Sequence, residues 1–172
     1  MPLQTRQAQQ TRTSSTNSYV QSVIDKSAGR DGILLIGDMN AKVGSDNTVT
    51  EFTMGKDGLG EINENGEMFP FFCGQNDLVI EGTFFKHKNK HKTTWKSPDL
   101  STENQIDHIP VSRRWRAQFL DVKVQRGTDA CFDHELLLSK IKARIYKKTK
   151  ETTTTEALLF NSHPQLPKKT FR

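Results

Sequence analysis

Ile33-Leu34-Leu35-Ile36-Gly37-Asp38-Met39-Asn40 is the stretch on which the reading of this chain turns. Four consecutive apolar residues predict a strand buried on both faces. The strand ends in glycine and then presents a carboxylate and a carboxamide two positions apart. Residues two apart on an extended chain point to the same side, so Asp38 and Asn40 are expected to share one face at a strand tip. An acid and an amide held there can touch a water, a phosphate or a metal ion. Asp, Asn and Gly are equally the ordinary residues of a capped turn after a core strand. These eight positions alone leave both readings open.

The chain has 172 residues, a single-domain length that can bury a real core. Hydrophobic residues make up 33%, and the polar tracts lie mainly at the two ends. The formal charge is +5, but it is unevenly spread: residues 33–85 hold nine Asp/Glu and two Lys, whereas nineteen Lys/Arg and nine Asp/Glu follow from Lys86 onward. An acidic region followed by a basic one suits a metal-assisted site beside a polyanion-binding surface, and it also suits solubilising charge. Cys73 and Cys131 make no disulfide framework, and no Cys/His cluster has zinc-ligand spacing. The N-terminus lacks the apolar core of a signal peptide and no apolar run is long enough to span a membrane. A soluble, intracellular protein, nuclear or cytoplasmic, is expected.

Residues 1–17 read as a disordered polar tail, 18–146 as the folded unit, and 147–172 as a Lys/Thr/Pro-rich linker or tail. Tyr19, Val20, Val23 and Ile24 recur at helical spacing, with Gly29 as the stop. A helix leading into the Ile33 strand indicates an α/β fold. The loop carrying Gly44, Gly55, Gly58 and Gly60 lacks the lysine and hydroxyl of a phosphate loop and is read as surface. Asn65 and Glu67 open a helix through Cys73, in which Pro70 removes an early backbone bond. Leu78-Val79-Ile80, Thr83-Phe84-Phe85, Thr93-Thr94-Trp95, Phe119 to Val124 and Leu136 to Ile145 are predicted strands, with Lys86 to Lys92 as a basic turn.

Three clusters carry candidate chemistry: Asp38 with Asn40, Asp107 between Ile106 and Ile109, and Asp133-His134 before the last strand. Each stands where an apolar strand meets a loop, the place an α/β scaffold puts its site. Attack on phosphorus needs a positioned water, a base and a countercharge. Asp38 suits the base, Asn40 a donor to a phosphate oxygen, and His134 a second donor whose ring Asp107 could hold. Asp133 could reach a magnesium ion. Taken singly, Asp133-His134 also fits a solvated turn, Asp107 a cap, and Thr94-Trp95 the core, although a tryptophan beside a basic loop can wedge against DNA.

Gly37-Asp38-Met39-Asn40-Ala41-Lys42-Val43-Gly44, Thr94-Trp95-Lys96-Ser97-Pro98, Asn104-Gln105-Ile106-Asp107-His108-Ile109 and Asp133-His134-Glu135 together resemble the C-terminal half of the endonuclease/exonuclease/phosphatase superfamily, the fold of deoxyribonuclease I. The wording is most similar to the endonuclease domain of LINE-type retrotransposons and to craniofacial development protein 2-like proteins. Asn63-Glu64-Asn65-Gly66-Glu67 and Val111-Ser112-Arg113-Arg114-Trp115-Arg116 fit the same group. The resemblance implies a partial four-layer α/β sandwich of two facing sheets, magnesium dependence (manganese as an alternative) and nicking of DNA, in a parent protein that carries a reverse transcriptase module. It implies Asp38, Asn40, Asp107 and His134 as catalytic residues and Asp133 at the metal. Thr94, Trp95, Lys96, Arg113 and Arg114 are candidates for DNA or phosphate contacts.

The superfamily's first half, with an early asparagine and a metal-binding glutamate, is expected to be missing. Glu51, Glu61, Glu64 and Glu67 all follow the Asp38 strand and cannot be that glutamate. Phe132 stands where the family has serine, Cys131 where it has glycine, and Pro110 where it has an aliphatic residue. The expectation is a truncated, weakly active or inactive copy of a magnesium-dependent endonuclease. The alternatives are a non-catalytic nucleic-acid-binding remnant and, third, a phosphatase of small phosphoesters.

Overall fold

A computed structural model describes residues 18–27, 31–127 and 133–142. The tails expected over 1–17 and 147–172, the Gly29 stop, the Cys131-Phe132 pair and the strand beyond 142 lie outside these residues.

The Ile33 stretch pairs along its length with residues 106–112. Ser112 N donates to Ile33 O at 2.9 Å, Leu35 N to Pro110 O at 2.9 Å, and Met39 N to Ile106 O at 3.0 Å. Within this run, strand β1 (Gly37–Asp38) pairs antiparallel with a two-residue strand, Asp107–His108. The chain continues into Pro110–Ser112, whose other edge takes strand β2 (Leu78–Ile80), again antiparallel. Met54 closes the far side through a parallel bridge to Ile80. A second layer begins with β3 (Trp95–Lys96) on β4 (Glu103–Asn104). In chain order Asp107–His108 is β5 and Pro110–Ser112 is β6. Lys96 N donates to Asp133 O at 2.9 Å and Glu135 N to Thr94 O at 2.8 Å, so residues 133–135 lie on the other edge of β3. They run on into β8 (Leu136–Ile141), the partner of β7 (Phe119–Gln125).

Strand alternation decides what each layer covers. Leu78 and Ile80 join Leu35, Val43, Met54, Phe69 and Cys73 in one cluster, while Val79 joins Ile109, Val111, Phe119 and Val122 in another. The second cluster lies between the two sheets; the first lies beneath the helices. Helix α1, residues 18–26, packs Val20 and Ile24 on that first cluster. Helix α2 (Glu64–Gln75) buries Gly66, Phe69, Pro70 and Cys73, a stripe at helical spacing. The Gln21 and Asn76 carboxamides exchange two hydrogen bonds of 2.8 and 2.9 Å and fasten α1 to the end of α2. The fold is thus mixed α/β with helices on one side of two facing sheets, compatible with a partial sandwich.

Several expectations change in detail. Only one face of the Ile33 strand is closed: Leu35 is 9% exposed, but Leu34 and Ile36 are 38% and 39% exposed. Thr83-Phe84-Phe85 is no strand. Glu81–Thr83 forms a 3-10 turn, closed by the Thr83 hydroxyl donating to Ile80 O at 2.7 Å and accepting from Gly55 N at 2.8 Å. The helix predicted from Asn65 starts at Glu64, with Asn63 as its cap, and continues through Pro70. The proline gives up one bond to the carbonyl four residues back, and burial of its ring on the core side keeps the turn in place.

Candidate functional site

The β1–β5 register sets Asp38 directly opposite Asp107, which places their Cβ atoms about 5 Å apart on one face. His134 arrives from the second layer, bridged to Trp95, and its Nδ1–H donates to Asp107 Oδ2 at 3.1 Å. An imidazole bound through Nδ1 turns Nε2 the other way, toward whatever occupies the site. Asn40 closes the group: its backbone N–H donates to Asp38 Oδ1 at 2.8 Å and its Nδ2 to Asp38 Oδ2 at 3.3 Å. The capped turn and the functional pair are therefore one arrangement, and Asn40 itself lies exposed with φ 49°. Asp133 stands at the rim, its Oδ2 accepting the Trp95 indole N–H at 3.2 Å.

Burial raises the Asp38 carboxyl above the ordinary aspartate value, its largest influence. The Asn40 N–H opposes that rise, the charges of Asp107 and Asp133 add to it, and His134 pulls it down. Three side chains from two other places in the chain thus act on Asp38 at once. A carboxylate with a raised pKa is a stronger base than an ordinary one.

The DNA- and phosphate-contact candidates divide. Trp95 is half-buried beside Asp133 and belongs to the rim. Thr94 is fully buried, and its hydroxyl accepts from Ile106 N at 3.0 Å and Asp107 N at 3.1 Å, so it braces Asp107 from behind instead of facing solvent. Lys96 lies between Glu135 at 3.3 Å and Glu103 at 3.6 Å, which offset its charge. Arg113 and Arg114 follow the far end of β6, whose last residue, Ser112, lies five residues or ~17 Å along the chain from Asp107. There Arg113 bonds Asp77 and the Phe52 carbonyl, and Arg114 the Asp31 carbonyl. Both hold loops to the sheet and stand apart from the Asp38 cluster.

Among the described residues no three His, Cys, Asp or Glu side chains converge to hold a metal ion. A groove of about 540 Å³ lies elsewhere, between α2 and the loop after Val43, and shares no residue with the Asp38 cluster.

His108, Asn63 and Asn65 were not singled out as site residues. His108 is 1% exposed, its Nε2–H donates to Ala41 O at 2.7 Å, and its ring lies 5.6 Å from that of Phe69. Desolvation holds its pKa below the ordinary histidine value, against the Ala41 bond and the Asp107 charge. The sequence signal was present in the Asn63-Glu64-Asn65-Gly66 run, whose two carboxamides reach the Asn40 carbonyl.

Fold and site together define a class: a mixed α/β module whose strand tips gather two aspartates, an asparagine and a histidine. No family model matches the chain. Over 132 residues, 76% of its length, the chain is 39% identical to craniofacial development protein 2 of Tragulus javanicus. The same protein of Bos taurus is 39% identical over 132 residues. The chain spans 23% and 22% of the length of these two relatives, so the similarity is to a segment of each. No helix among the described residues is long and apolar enough to cross a membrane.

Proposed function

We propose that this chain carries the phosphodiester-cleaving end of a DNA endonuclease of the endonuclease/exonuclease/phosphatase type, derived from a LINE-type retrotransposon protein. The observation that supports it is the 3.1 Å His134–Asp107 contact set beside the Asp38–Asn40 pair. Asp38 accepts the proton of the attacking water. Asn40 and His134 Nε2–H donate to the phosphate oxygens as charge builds there, and Asp107 holds the imidazole ring and its charge. Trp95 offers an apolar edge at the rim. A magnesium or manganese ion, with Asp133 as the residue that would reach it, would add countercharge to the phosphate. A reverse transcriptase in the parent protein is the partner such a nick would serve.

One observation favours a second reading, a non-catalytic DNA-binding remnant. His87 bonds Asp121 at 2.6 Å and fastens the basic turn to β7, leaving Lys86, Lys88 and Lys90 exposed. Supercoiled-plasmid nicking with magnesium, with and without EDTA, separates the two. The nuclease reading expects nicked circles with the parent chain and their loss in His134→Ala. A chain that leaves the plasmid intact but shifts DNA in a salt-dependent manner supports the remnant. Faster release of phosphate from an inositol phosphate than cleavage of DNA points to the phosphatase.

A further inference from the structure

Asn40 occupies the left-handed region, with φ 49°. Asparagine is among the few non-glycine residues that adopt it, and the contacts around Asn40 fix which way it turns. The Asn40 carbonyl accepts from two carboxamides, Asn63 Nδ2 at 3.0 Å and Asn65 Nδ2 at 3.2 Å. Asn63 Oδ1 accepts in turn from Lys42 N at 2.9 Å and Gly66 N at 2.8 Å. The Lys42 carbonyl takes the Asn63 N–H at 3.2 Å, and the Ala41 carbonyl takes the His108 ring N–H at 2.7 Å. Three consecutive carbonyls, those of Asn40, Ala41 and Lys42, are thus each held by a donor from another element. Such close approach needs Gly66, where an added Cβ would fall 1.8 Å from Lys42 O.

We propose that Asn63 and Asn65 are positioning residues for the Asp38–Asn40 pair. Their carboxamides fix the left-handed turn from which the Asn40 side chain is aimed. This inference rests on the phosphodiester-cleaving reading for its consequence in catalysis, but the clamp itself can be tested apart from it. Asn63 also caps α2, so its removal mixes two effects. Asn65 separates them. It lies in the first turn of α2, where alanine is a better helix former and aspartate interacts favourably with the helix end. Asn65→Asp keeps the side-chain shape but removes the donor and sets a carboxylate against a carbonyl.

The test uses the full 172-residue chain and three proteins: the parent, Asn65→Ala and Asn65→Asp. Melting temperatures in both variants stay within a few degrees of the parent, because the helix-forming gain offsets the lost hydrogen bond. The backbone and side-chain ¹H–¹⁵N signals of Asn40 move, and nicking kcat falls about tenfold with KM little changed. Asn65→Gln, which keeps a donor, recovers part of the rate. Unmoved Asn40 signals in both variants overturn the clamp, as does a loss of rate that follows a loss of melting temperature. A parent chain that nicks nothing, while its Asn40 signals still move in Asn65→Asp, refutes the phosphodiester reading and leaves the clamp standing.

Discussion

Glu81 supplies a test of the fold that needs no activity. It lies in the turn after β2, is 1% exposed, and its Oε1 has no hydrogen-bond partner. Desolvation raises its pKa from 4.5 to about 7, against the pull of the Arg116 guanidinium, which stacks 3.9 Å from the centre of the Phe84 ring. The folded state therefore holds this proton more tightly than the unfolded chain does. The Glu81 contribution to stability is greatest below pH 4.5, declines as the pH rises toward 7, and is level above. A gap of about 2.5 pH units at about 1.4 kcal/mol each sets a ceiling of roughly 3 kcal/mol. Glu81→Gln keeps the shape and cannot ionise. Urea midpoints of the two proteins, compared at constant ionic strength from pH 4.5 to 8.5, should start close together and separate by about 2–3 kcal/mol, the glutamine protein being the more stable at high pH. Differencing the two curves cancels every other titrating group they share. Parallel curves across the range would refute the assignment of a buried, proton-retaining carboxyl.

His108 slopes the other way. Its lowered pKa makes the folded state bind fewer protons than the unfolded one, so stability falls as the pH drops below about 6.5; His108→Phe should flatten that acid limb in urea titrations while losing about 1 kcal/mol at neutral pH with the Ala41 bond. Gly66→Ala gains about 1 kcal/mol of helix propensity but must displace the Lys42 carbonyl, so a net loss of about 2 kcal/mol or more is expected in thermal melts. Thr94→Val leaves the Ile106 and Asp107 N–H groups without their acceptor. It should cost about 2–4 kcal/mol by denaturant titration, and Thr94→Ser should restore most of that.

Much of the site was legible because it is made of strand ends. An apolar run followed by Gly-Asp-x-Asn announces its own tip, and the order of the Asp107 and His134 segments matches strands that meet there. What could not be read was direction. Thr94 and Lys96 lie on the strand beside Trp95, yet one is turned into the core and the other onto two carboxylates. The partners that settle it, Ile106 and Asp107 for Thr94 and Glu103 and Glu135 for Lys96, come from other stretches of the chain. Arg113 and Arg114 illustrate the same limit: a basic run looks like a phosphate contact until its partners, Asp77 and two carbonyls, are known. The strand expected at Thr83 failed because its hydroxyl had a local alternative, the Ile80 carbonyl three residues back.

One length of chain, residues 133–141, carries His134 at its start and the whole β7 ladder along the remainder. A tensile load applied at its C-terminal end would meet these contacts in series. Peeling begins at Lys142, whose N–H bonds Gln118 O, passes Ile141 against Phe119, runs link by link to Leu136 against Gln125, and then reaches the bridge between Trp95 and His134. Mechanically, the ladder is a fuse placed ahead of the histidine, so a tug from that side frays the outer edge while the imidazole still sits against Asp107.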